Sequence, residues 1–173
     1  MIILIDARLY GPEHTGNGRY TMNLISELTK LDKKNKYLLL LRKKYYKKLK
    51  LPPNWTKILA DFKHYSLTEQ IKLPFIINKS KPDLVHFPHF NIPIFYFGKY
   101  IVTIHDMTMH KFRGKDATTR KLPLYQLWRL GYYLSFAKAV YGSKRIIVPS
   151  EAVKQEILSF YKVNQGKVKV VYE

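Results

Sequence analysis

Short apolar runs alternate with helical patterns along the whole chain, and no other feature constrains the fold as much. Residues 2–5, 37–41, 57–62, 84–87, 100–105, 145–148 and 167–171 read as strands. Continuous apolar runs of this length belong to strands buried on both faces. Between the first two, Tyr20, Leu24, Leu28 and Leu31 recur at helical spacing. Further helices are expected over 42–50, 66–80, 124–139 and 151–161. In the second of these, Ser66 is the cap and Glu69 follows three residues on. Leu67, Ile71 and Phe75 share one face of it, and Pro74 is expected to disturb it. Over 124–139 the apolar stripe reads Leu127, Leu130, Leu134 and Ala137. Strands alternating with helices imply a parallel sheet covered on both faces, a Rossmann-like α/β domain. The aromatic, proline-rich stretch 90–99 is a loop.

Composition narrows the function. A chain of 173 residues fits one domain, and 46% hydrophobic residues exclude a disordered one. The absence of cysteine excludes a disulfide framework and thiolate metal sites. The N-terminal apolar run is too short for a signal peptide, and no stretch approaches the roughly 20 apolar residues that span a bilayer. A cytoplasmic chain is expected. Lys and Arg total 31 against 12 Asp and Glu, a net +19, so polyanions are favoured partners. Nucleic acid, an anionic membrane surface and phosphorylated substrates all qualify.

Five segments can carry chemistry. Gly16 and Gly18 precede the first helix, where backbone N–H groups hold phosphate and glycine allows close approach. The dinucleotide fingerprint does not match, because the third glycine is missing. His105 and Asp106 follow a buried strand directly, at the end where open α/β sheets bind ligands. His86 and His89 end another strand. With His105 and His110 they raise the possibility of a metal site, although a strand position and a proline turn need not converge. Ser150 stands before a helix, where capping accounts for it. In 42–50, six cations interleave with two tyrosines and a leucine. That mixture suits a membrane interface, a nucleic-acid backbone or simply a solvated basic face.

Taken together, the segments resemble one family. Gly16-Asn-Gly-Arg-Tyr20, Asp83-Leu-Val-His-Phe-Pro88, Val102-Thr-Ile-His-Asp-Met107, Ile147-Val-Pro-Ser-Glu-Ala-Val-Lys154 and the final Lys167-Val-Lys-Val-Val-Tyr-Glu173 occur in the order and spacing of family 4 glycosyltransferases. These enzymes have the GT-B fold of two Rossmann-like domains facing each other. The resemblance implies that residues 1–173 are the N-terminal, acceptor-side domain. The C-terminal domain, which binds the nucleotide sugar, would lie outside this chain. It further implies retaining transfer without a metal or other cofactor, to a glycan or lipid-linked acceptor of the cell-envelope kind. Gly16, Gly18 and Arg19 would lie against the donor phosphates or sugar, and His105 would touch the donor near the reacting centre. His86, His89, Asp106 and Ser150 match acceptor-side or structural positions. The family's Lys/Arg pair and EX₇E glutamates are absent, so the chain alone is expected to lack activity. Two other readings stand beside this one. One is a basic nucleic-acid-binding module, which no recognised motif supports. The other is a metal-dependent hydrolase using His105, Asp106 and His110.

Overall fold

The computed structural model describes residues 1–111 and 122–172, with the backbone alone for 111, 122–125, 127 and 128. Seven strands form one sheet: β1 (Ile2–Asp6), β2 (Lys36–Leu41), β3 (Trp55–Leu59), β4 (Leu84–Phe87), β5 (Tyr100–Thr103), β6 (Arg145–Val148) and β7 (Val168–Val170). Their order is β3-β2-β1-β4-β5-β6-β7, and every pairing is parallel. Parallel neighbours need crossovers, and helices supply all of them except β4 to β5, which the loop 88–99 makes. The helices are α1 (Thr15–Leu31), α2 (Lys43–Tyr46), α3 (Leu67–Ser80), α4 (Thr108–Lys111), α5 (Leu122–Gly142) and α6 (Glu151–Phe160). The Rossmann-like α/β architecture read from the sequence is therefore the observed one.

Successive side chains of a strand point to opposite faces, and the core divides accordingly. Leu4, Leu40, Val85, Phe87, Val102, Ile146 and Val148 pack with Leu73 and Ile77 of α3, Phe136 and Val140 of α5 and Ile157 of α6. Ile5, Leu39 and Leu41 face the other way, onto Ile25 of α1. β1 is the centre of the sheet. It pairs with β2 on one side and β4 on the other, with Ile3 opposite Leu84. The strand order reverses between β1 and β4, and a reversal opens a crevice beyond the carboxyl ends of those two strands.

Several local expectations change. The third strand covers Trp55–Leu59, earlier than expected. Gly16 and Gly18 lie inside the first turn of α1 rather than in a loop before it. Gly11, at φ 132°, and a single 3-10 turn over Pro12–His14 complete the reversal early, so the helix starts at Thr15. α3 runs unbroken through Pro74. Burial of Leu73, Pro74 and Ile77, together with the Ser66 cap, outweighs the hydrogen bond that proline cannot donate.

The stripes of two helices are inverted. Leu67, Ile71 and Phe75 are 84%, 69% and 68% exposed, while Glu69, Leu73, Pro74 and Ile77 face inward. On α5, Leu130 and Leu134 are exposed and Tyr132, Phe136, Ala139 and Val140 are buried. The side chain of Leu127 lies outside the described residues. Both helices carry apolar residues on more than one face, so periodicity alone selects no core side.

Candidate functional site at the β1–β4 crevice

The crevice is built on a buried ion network. β1 ends at Asp6, and two residues on the chain returns Arg8 to it. Arg8 Nε and Nη2 donate to Asp6 Oδ1 and Oδ2 at 2.8 and 2.7 Å. Arg8 Nη2 also donates to Glu69 Oε1 at 2.7 Å. Neither the Arg8 nor the Glu69 side chain has any solvent exposure. Burial alone works against the guanidinium charge, but Asp6 and Glu69 outweigh it and raise the Arg8 pKa further. Two carboxylates on Nε and Nη2 make the buried charge tolerable, while Nη1 has no hydrogen-bond partner among the described residues.

Glu69 gathers the second layer. Asn91 Nδ2 donates to both of its oxygens at 3.0 Å, and the Tyr65 N–H donates to Oε2 at 2.6 Å. His64 Nδ1 lies 3.3 Å from Oε1. Burial pushes the Glu69 pKa up. The His64 hydrogen bond, the Arg8 charge and the Asn91 hydrogen bond overcome this and hold the pKa at about 2. The carboxylate is therefore ionised at neutral pH and can only accept hydrogen bonds.

Above this network lies an open hollow of about 210 Å³ lined by Leu9, Glu13, His14, Thr15, Asn17, His64, Tyr65 and His89. A smaller cavity of about 10 Å³ shares Leu9, His64 and His89 with it and is also lined by Asp6, Phe87, Pro88 and Asn91. Glu13 and His14 also belong to a larger depression of about 490 Å³, beside Tyr10, Arg42, Lys44 and Tyr45. There, cations meet carboxylates. Lys44 donates to Glu13 at 2.8 Å, and Arg42 lies 3.6 Å from Asp61.

The residues singled out in the sequence distribute unevenly around the crevice. The start of α1 has no side-chain cap. Gly16 is exposed, and a Cβ there would meet nothing within 4 Å. At Gly18 a Cβ would fall 1.9 Å from the Gly11 carbonyl oxygen, so this glycine is needed for close packing of the turn. Arg19 is exposed. His105 follows β5, with Nε2 donating to the Pro88 carbonyl at 3.0 Å and its ring edge-on to Tyr20 at 4.8 Å. His89 lines the hollow. Its Nδ1 accepts from the Asn91 N–H, and burial, with His64 and His105 nearby, lowers its pKa to about 3.

Others stand away from it. His86 is buried in β4 and bonds Thr103 Oγ1 at 2.9 Å, and Thr103 in turn meets the Tyr20 hydroxyl. Burial, then the neighbouring His105, pushes the His86 pKa down to about 4. Asp106 accepts from the Thr108 N–H at the start of α4, and Ser150 accepts from the Val153 N–H at the start of α6. Both cap helices. His110 is enclosed by Tyr132, Tyr133, Phe136, Phe160 and Tyr161. Its Nδ1 and Nε2 meet the Tyr132 and Tyr161 hydroxyls at 2.7 and 2.6 Å, so it cannot join His105 and Asp106 in a metal set. Among the described residues, no three His, Asp or Glu groups come together to hold a metal ion.

The basic segment 42–50 also differs from a free interfacial face. Tyr45, Tyr46 and Leu49 pack against the α1-side core, and Tyr45 donates to Glu13. Sequence reasoning passed over Arg8, His64 and Asn91, and took Glu69 for a helix cap alone. The available signal was Asp6 and Arg8, two opposite charges two residues apart at the end of an apolar strand.

A parallel sheet with helices on both faces and a polar crevice at its switch point defines a Rossmann-like domain of the kind that makes up GT-B enzymes. Residues 15–173 match the model of Glycosyltransferase Family 4, and the chain belongs to that family. No curated protein matches it. Family membership gives the chain a glycosyltransferase role, with a sugar donor and an acceptor as partners in general terms.

Proposed function

We propose that this chain is the acceptor-side domain of a retaining glycosyltransferase that moves a sugar from a nucleotide-sugar donor to a glycan or lipid-linked acceptor. The observation that carries the reading is the polar hollow at the β1–β4 crevice, bordered by the uncapped first turn of α1. N–H groups at a helix start favour the charge that develops on a departing diphosphate. In this reading Gly16 admits the donor, Arg19 adds a cation and His105 positions the transferred sugar. No metal or other cofactor is required. The main diphosphate grip belongs to a second domain that follows this one. Nucleotide-sugar turnover by residues 1–173 alone is expected to be negligible, and a normal enzymatic rate would overturn the proposal.

The acceptor is proposed to be met at the inner face of an anionic membrane. Among the described residues no helix is long and apolar enough to cross a membrane. Support comes from α3, whose outward face carries Leu67, Ile71 and Phe75 beside the exposed Lys72 and Lys79, with no acidic residue. Apolar residues flanked by cations suit a headgroup boundary. Vesicles containing phosphatidylglycerol should retain the chain, and Ile71→Glu should release it. Equal flotation of both proteins would remove this part of the reading.

A further inference from the structure

Glu69 does more than neutralise Arg8. Because the ionised carboxylate only accepts, it fixes which atoms of its neighbours turn toward it. The Asn91 amide presents Nδ2 to Glu69, which turns Oδ1 away. His64 presents Nδ1, so in the neutral ring Nε2 carries the lone pair. Both outward atoms are buried and have no hydrogen-bond partner among the described residues. Both side chains line the same cavity of about 10 Å³, room for a single oxygen or nitrogen atom. His64 also lines the 210 Å³ hollow, so a molecule seated there reaches the cavity with one projecting group. Two buried acceptors on side chains that line one small cavity favour a hydrogen-bond donor, and leaving them unmatched is costly.

We infer that His64 and Asn91 form a recognition notch for one O–H or N–H donor group of the acceptor sugar, with Glu69 as the positioning residue behind them. This rests on the glycosyltransferase reading above and adds the residues and chemistry by which the acceptor is read. The notch selects by hydrogen bonding. A sugar lacking that donor group leaves two acceptors bare and is rejected.

The test is a titration of the chain, ¹⁵N-labelled, with glucose, galactose, mannose, glucosamine and N-acetylglucosamine. The His64 ring nitrogens and the backbone amides are followed by NMR. Saturable movement of His64 Nε2 with at least one sugar is expected. A response to neutral sugars assigns a hydroxyl to the notch, and a response to glucosamine alone assigns an amine. His64→Phe should weaken that sugar about tenfold, as for one lost hydrogen bond. His64→Gln, which keeps an acceptor, should hold affinity within about threefold. The amide spectra of both variants away from the crevice report that they fold. Sugars that bind and shift other residues while His64 stays still would overturn the notch and leave the family role intact. If no sugar perturbs any residue, the notch and the acceptor-side reading fail together.

Discussion

At His110 both ring nitrogens meet tyrosine hydroxyls inside an aromatic shell. At His64, whose side chain lines a small cavity, one nitrogen faces Glu69 and the other has no hydrogen-bond partner among the described residues. Both histidines lie beyond the carboxyl ends of strands, and both are largely enclosed. The difference is one of satisfaction. A buried polar group whose bonds are complete is scaffold, and one held open by its neighbours is poised for a ligand. Residue type and position in the chain do not separate the two, but their hydrogen bonds do.

The most severe way to break this contrast is Glu69→Ala. It leaves Arg8 buried beside Asp6 alone and turns His64 and Asn91 loose. A loss of about 3–5 kcal/mol is expected in urea denaturation. A loss under about 1 kcal/mol would show that the network is not the frame of the crevice.

Acid titration comes next. The folded chain keeps His86 neutral down to about pH 4 and His89 to about 3, whereas unfolded histidine takes up its proton around 6.5. Proton uptake therefore favours the unfolded state as pH falls. Stability is full above about pH 6.5 and drops toward pH 3–4, with ~3 kcal/mol from His86 alone. Glu69 extends the loss, since its pKa of about 2 lies below the ordinary 4.5. Denaturation curves that stay flat from pH 7 to 4 would contradict the buried neutral histidines.

The first turn of α1 offers a finer comparison. Gly18→Ala drives a Cβ into the Gly11 carbonyl and is expected to cost ~1–3 kcal/mol. Gly16→Ala meets open space and is expected to stabilise the fold by ~0.4–1 kcal/mol while narrowing the approach to the helix start. Thermal unfolding of the pair separates a packing glycine from an access glycine. An effect of similar size belongs to the closed cluster. Tyr161→Phe removes one hydrogen bond to His110, about 1 kcal/mol, and should leave the sugar response of His64 unchanged.

The sheet was legible because its strands are nearly pure apolar runs, and burial on both faces requires that composition. The strand-end positions of His86, His89 and His105 followed from it. Helix orientation was not legible, because α3 and α5 have apolar residues on competing faces. On α3 the decisive inward residue is Glu69, a charge that no hydropathy pattern would place in a core. Its partners stand 61 and 22 residues away, at Arg8 and Asn91. That network exists only once the crossover has formed, so local sequence carries little trace of it.

The central place of β1 also has a consequence in time. Its second neighbour, β4, lies about 80 residues further along the chain, with Ile3 opposite Leu84. At a synthesis rate of about 5–20 residues per second, that is a wait on the order of 4–16 s. Through this interval one edge of an apolar strand has no partner. The chain must then close its longest loop to finish its own middle, a topology that folds slowly and exposes a sticky edge while it does so.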